Sequence, residues 1–151
     1  MAQCFSACGC SDLEGVTRSD LDRYTDKIEN VLNDENGRRI FRGFMITAKL
    51  KDGKRCLRLW EQCDEVATTP AADSADKKIY GEFLCEVDAL IENAEKVDEL
   101  DYAIMEKLTL TRDSEDKDEI ITIIKLLKNE VTKAMKSEYQ AFKRHFIKKR
   151  F

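Results

Sequence analysis

The sequence predicts an all-α domain, a compact multi-helix bundle, and three observations carry that reading. Apolar residues recur at helical spacing from about Ser19 to the far end of the chain. One Pro and six Gly in 151 residues leave little of the turn chemistry that a many-stranded β protein needs. Charged residues make up 37% and hydrophobic residues 42%, a balance that suits amphipathic helices with solvated outer faces. At this length one domain buries enough surface to stand without disulfide or metal staples.

Taken in order, residues 1–18 read as a Cys-rich N-terminal arm without helical period, and residues 19–151 as the helical domain. Ser19 or Asp20 is placed to cap a first helix carrying Leu21, Tyr24, Ile28, Val31 and Leu32. Asn33 to Gly37 reads as a stop and a new start. Ile40, Phe41, Phe44, Met45 and Leu50 form the next amphipathic stretch, which Asp52-Gly53 is expected to break. A third stretch carries Cys56, Leu57, Leu59, Trp60, Cys63 and Val66. Ala67 to Ser74, with the only Pro, is the best candidate loop.

A long helix is predicted over about Ala75 to Asn93, with Ile79, Tyr80, Phe83, Leu84, Val87, Leu90 and Ile91 inward. A shorter one covers about Glu99 to Leu108, and Thr111 to Asp116 reads as a polar turn. Asp118 to about Met135 is apolar around much of its circumference (Ile120, Ile121, Ile123, Ile124, Leu126, Leu127, Val131), which predicts a central helix. Ser137 is expected to cap a last helix bearing Tyr139, Phe142 and Phe146.

The net charge of −4 predicts no general attraction to nucleic acid. The charge is uneven: Gly81 to Glu106 holds nine acids and one Lys, whereas Lys143 to Arg150 holds five bases and no acid. Residues 1–16 lack the pattern of a signal peptide, and no run of apolar residues approaches a membrane span. A cytoplasmic, reducing setting follows as the expectation, with Cys56, Cys63 and Cys85 as small buried hydrophobes. Cys4, Cys8 and Cys10 lack a fourth ligand at zinc spacing. They suit palmitoylation instead, which would associate the chain peripherally with a membrane; Ala2 excludes myristoylation. His145, the only His, reads as a rim residue, so no Cys–His catalytic pair is expected. No phosphate-binding loop, dinucleotide fingerprint or zinc-protease motif is present. The expectation is a non-enzyme without cofactor or metal.

Three pieces occur in an order that resembles a known family. Ile28 to Met45 contains Gly37, Phe41, Phe44 and Met45 in a Gly-x-x-x-Phe-x-x-Phe-Leu-like pattern; Leu57-Arg-Leu-Trp-Glu-Gln-Cys63 is similar to a Phe-Trp-x-x-Cys helix; Ala134-Met-Lys-Ser-Glu-Tyr139 is similar to a Phe-Leu-Lys-Ser…Tyr close. Together they resemble the regulator-of-G-protein-signalling (RGS) homology domain over about residues 20–150. The resemblance implies a two-lobed, nine-helix-like bundle that binds a G-protein α subunit (Gα) and does no chemistry itself.

The family's contact surface maps here to three segments, with Lys49, Lys51, Asp52, Lys54 and Arg55 in a Thr47–Cys56 loop, Asp98 after the long helix, and Glu130 and Lys133 before the last helix. The loop lacks the family's contact Asn, is about three residues longer and is basic. The expected function is therefore a protein-interaction domain of G-protein signalling, binding Gα or a substitute partner, with weak or no GTPase-activating activity. One alternative is an active GTPase activator with altered contacts. The other is a small helical ligand-binding protein with a cavity lined by Phe and Ile.

Overall fold

The computed structural model describes residues 15–150, with side chains described through Ile147. Among the described residues there is no strand. Eight α-helices follow one another: α1 (Arg18–Tyr24), α2 (Ile28–Leu32), α3 (Glu35–Thr47), α4 (Lys51–Thr68), α5 (Lys77–Ala94), α6 (Tyr102–Ser114), α7 (Lys117–Ala134) and α8 (Lys136–Arg150), with a 3-10 turn at Pro70–Asp73. The all-α expectation holds. The described residues divide into two compact units, one of residues 15–54 with 136–150 and one of residues 55–135.

In the first unit, α1 is capped two residues earlier than Ser19, the earlier of the two caps the sequence suggested. Thr17 is the N-cap: its hydroxyl accepts from the Asp20 amide at 3.0 Å, and Asp20 accepts from the Thr17 amide at 3.0 Å, a capping box. The stop and restart near Asn33 to Gly37 is present, and Asp34 caps α3 by accepting from the Asn36 and Gly37 amides at 2.9 and 3.3 Å. The same carboxylate accepts from the Tyr24 hydroxyl at 2.9 Å and from Arg23 at 3.0 Å, tying α1 to the start of α3. Gly37 is buried because α2 passes very close: a Cβ there would sit 2.7 Å from the Val31 carbonyl oxygen and 3.1 Å from the Tyr24 ring.

Residues 136–150 return to this unit. The Tyr139 hydroxyl donates to the Tyr24 carbonyl at 2.7 Å in a buried bond spanning 115 positions. Phe142 meets Phe41 edge to face at 5.2 Å and Phe146 at 4.8 Å. Ser137 does not cap α8; only Met135 separates α7 from α8, and Ser137 lies in the first turn of α8.

Gly53 also departs from its expected role. It lies inside α4, and a Cβ would meet Glu138 Cγ and Met45 Sδ at 2.6 Å each. The glycine permits a close approach and breaks nothing.

In the second unit, Phe83, Val87 and Leu90 of α5, Leu108 of α6 and Ile120, Ile124, Leu127 and Val131 of α7 are buried. The expectation that α7 is a central helix, buried around much of its circumference, is corrected: its buried residues form one stripe, and Leu126 is 43% exposed. Ile79 and Cys85, expected inside, are exposed. The polar run Thr111 to Ser114 continues α6, which ends at Glu115 with φ 59°. Asp116 then caps α7 through the Asp118 and Glu119 amides. Arg112 ties α6 to α5 by two bonds to Asp88, at 2.7 and 3.1 Å.

Gly37→Ala is expected to destabilise the fold by about 1–3 kcal/mol, since rigid backbone must move. Gly81→Ala on α5 meets nothing within 4 Å and should stabilise by about 0.5–1 kcal/mol. Urea denaturation of the pair checks the contrast; equal effects would refute the close-approach account.

Partial burial raises the Asp34 carboxyl, but the bonds from Tyr24, Arg23 and the Gly37 and Asn36 amides outweigh it and leave the group below its ordinary value. A lowered carboxylate contributes stability above its unfolded value of about 4 and loses it as pH falls. Asp34→Asn should therefore be less stable than the parent at pH 7, by about 1 kcal/mol, and the gap should close toward pH 3. Acid titrations of stability check this, and a gap that does not change with pH would contradict it.

Candidate partner-binding surface

The first candidate segment is not the long loop that the sequence suggested. α3 ends at Thr47 and α4 begins at Lys51, so the connection is Ala48–Leu50. It closes α3 as a Schellman turn: the Leu50 amide donates to Met45 O at 2.8 Å and the Lys49 amide to Ile46 O at 3.2 Å. Lys49 occupies the left-handed position with φ 59°, where Gly is usual. Lys51, Asp52, Lys54 and Arg55 lie in the opening turns of α4. The cause of the difference is Gly53, whose close approach lets the helix start upstream of it. Lys49, Lys51, Asp52 and Arg55 are exposed and Lys54 is half-buried. Cys56 turns inward and is buried, as are Leu57, Trp60 and Cys63.

The second segment is the turn between α5 and α6. Buried Val97 anchors it, Asp98 is exposed, and Asp101 caps α6 by accepting from the Ala103 amide at 2.9 Å. The third lies on the last turns of α7. Glu130 is half-buried, Lys133 is exposed, and Lys133 Nζ lies 3.3 Å from Glu130 Oε1. An exposed i, i+3 pair of this kind contributes little to stability, so both charges remain available to a partner. The structure thus brings Glu130 and Lys133 together, and gathers the residues around Lys49 on consecutive turns; Asp98 stands on its own turn.

Lys128 of α7 fixes the neighbourhood of the only Trp. Its Nζ lies 4.5 Å from the Trp60 ring centroid and 2.8 Å from Asp64 Oδ1, joining α7 to α4. Beside it, burial pushes the Cys63 thiol up to about 12, which leaves it protonated and inert at neutral pH. His145 is half-buried, 5.2 Å from the Phe44 ring and 4.8 Å from Phe146, a rim position. Among the described residues no group of three His, Cys, Asp or Glu is arranged to hold a metal ion, and no helix is long and apolar enough to cross a membrane. Cys4, Cys8 and Cys10 lie outside the described residues.

Two features were missed from sequence. One is the Tyr24–Asp34–Arg23 cluster, whose members are 10 and 11 positions apart and carry no local signal. The other is an outward face on α6, visible in retrospect as Tyr102, Met105, Glu106, Thr109 and Leu110 at helical spacing.

The described residues thus form an all-α chain in two units, with an aromatic cluster in the first. The family model described as regulator of G protein signaling domain matches residues 27–148. The chain belongs to the RGS domain family. No curated protein and no solved structure matches it. Domains of this family work in G-protein signalling by contact with a protein partner and act at most as GTPase-activating proteins.

The left-handed Lys49 is strained by about 1 kcal/mol relative to Gly. Lys49→Gly should raise stability by about that amount in urea denaturation. No gain would mean that the Lys49 side chain offsets the strain through contacts of its own.

Proposed function

We propose that this domain binds Gα, or a substitute protein with an acidic surface, while accelerating GTP hydrolysis weakly or not at all. The observation that carries the reading is a combination. The chain matches the family along nearly its whole helical length, yet the segment that should present a water-orienting amide holds Lys, Asp, Gly, Arg and Cys instead. RGS activity rests on holding the GTPase in its transition-state geometry, and neither an ammonium nor a thiol replaces a carboxamide there. The proposed contact residues are Lys49, Lys51, Asp52, Lys54 and Arg55 in the first segment, Asp98 in the second, and Glu130 and Lys133 in the third.

Charge supports an acidic partner at the first segment. Residues 15–54 and 136–151 carry fifteen Lys or Arg against eight Asp or Glu, a balance of +7. In the same reading the arm of residues 1–18 carries palmitate on Cys4, Cys8 or Cys10, two chains sufficing for stable membrane association.

The test pairs titration against Gα in its GDP, transition-state-analogue and GTP-like states with single-turnover hydrolysis. Binding is expected with less than about tenfold acceleration, equivalent to ~1.4 kcal/mol of barrier. Lys51→Glu with Arg55→Glu should weaken that binding without loss of fold, since both side chains are exposed. Strong acceleration that disappears on changing Lys54 or Arg55 would establish the active-GTPase-activator reading instead. No binding in any nucleotide state would remove Gα as the partner.

A further inference from the structure

The second unit carries a groove with one wall on the α5–α6 turn and the other on α6, a helix outside the family contact segments. α6 is thirteen residues long yet buries one side chain, Leu108. Its face of Tyr102, Met105, Glu106, Thr109 and Leu110 follows the i, i+3, i+4, i+7, i+8 spacing of a single helix stripe. That stripe lines an open groove of about 580 Å³, whose other wall is the end of α5 and the following turn, with Val97 and Leu100. Tyr102 is 80% exposed and Leu110 is 64% exposed. Exposed Tyr102 and Leu110, with half-buried Met105 between them, put apolar side chains on the solvent side of a helix, a feature that marks candidate interaction surfaces.

The rim states the charge of the occupant. Glu95, Asp98 and Glu106 line the groove, and no basic side chain does. Residues 55–135 together carry twenty Asp or Glu against eleven Lys or Arg, a balance of −9. From Tyr102 to Leu110 the lining runs about 12 Å along α6, room for about two turns of a partner helix. Met105 supplies an adaptable floor.

We infer that this groove docks a cationic amphipathic helix of a partner protein. The partner's apolar side chains lie between Tyr102 and Leu110, and its Lys or Arg residues face Glu95, Asp98 and Glu106. Apolar anchors set affinity, and the acidic rim sets sign and on-rate. The site stands apart from the proposed Gα reading: of the residues assigned to that surface, Asp98 alone is shared, and the test leaves it unchanged.

The probe is a Leu/Lys amphipathic peptide of about fourteen residues, titrated into the full chain by amide NMR, beside its Leu/Glu mirror. The Leu/Lys peptide should shift residues of α6 and of the 95–101 turn, weaken as salt rises, and outbind the mirror. Tyr102→Ala with Leu110→Ser should weaken it at least about tenfold. Glu106→Lys, a separate exposed substitution, should weaken it too and keeps the test decisive if the double variant misfolds. Titration of the same variants with Gα should be unchanged, so either reading can fail alone. Equal binding of the mirror peptide, shifts centred elsewhere on the acidic surface, or unchanged affinity in both variants would overturn the inference.

Discussion

The first unit depends on one meeting: the last helix must come back to the first three. Its floor is the contact of Phe142 with Phe41 at 5.2 Å, and its lock is the Tyr139 hydroxyl on the Tyr24 carbonyl. That carbonyl lies at the end of α1, and the side chain of the same Tyr24 bonds to Asp34, which caps α3. One tyrosine therefore joins three helices, by its backbone to α8 and by its ring to α3. Burial, then the bond to Asp34, push its phenol up to about 12, so the hydroxyl stays a donor throughout the physiological range. Residues 55–135 form the second unit between the two parts of the first. The entropy of closing so long an insertion grows only as the logarithm of its length. A few well-made buried contacts among aromatic residues are enough to hold the ends.

The core was legible because large apolar side chains at helical spacing have few other uses. Phe41, Trp60, Phe83, Phe142 and Val131 are buried as their spacing required. The boundaries were less legible where one residue type serves two purposes. Gly37 and Gly53 look alike in sequence, each beside polar residues that suit a turn. Both in fact sit in helices, where a neighbouring segment comes too close for a Cβ. That neighbour is Val31 for Gly37 and Glu138 for Gly53, and the second lies 85 positions away, beyond any local pattern. Thr111 to Ser114 is polar for a different reason: it covers the outer end of α6, and the chain turns only at Glu115.

The candidate surface was half legible. The sequence located its residues but not their conformation, since reading Asp52-Gly53 as a break turned the opening of α4 into loop. The consequence is physical. Side chains on successive helical turns are fixed in spacing, so Lys51, Lys54 and Arg55 present a set pattern of charge. A loop would let them adapt. In the proposed function, a segment without a carboxamide but with basic side chains at fixed spacing suits gripping an acidic partner better than orienting a water.

The charge division extends that argument. A net −4 hides +7 on residues 15–54 with 136–151, −9 on residues 55–135 and −2 on residues 1–14. Stability alone gives no reason to sort charges this way; mixing signs within each unit would lower self-repulsion in both. The sorting matches what the surfaces present. The basic unit strains Lys49 into a position better suited to Gly, and the acidic unit leaves Tyr102 and Leu110 in water beside Glu106. Each is a small loss of folding free energy located on an exposed, charged surface. In the two proposals above, an acidic partner at Lys49 and a cationic helix between Tyr102 and Leu110 would each offset one of these losses.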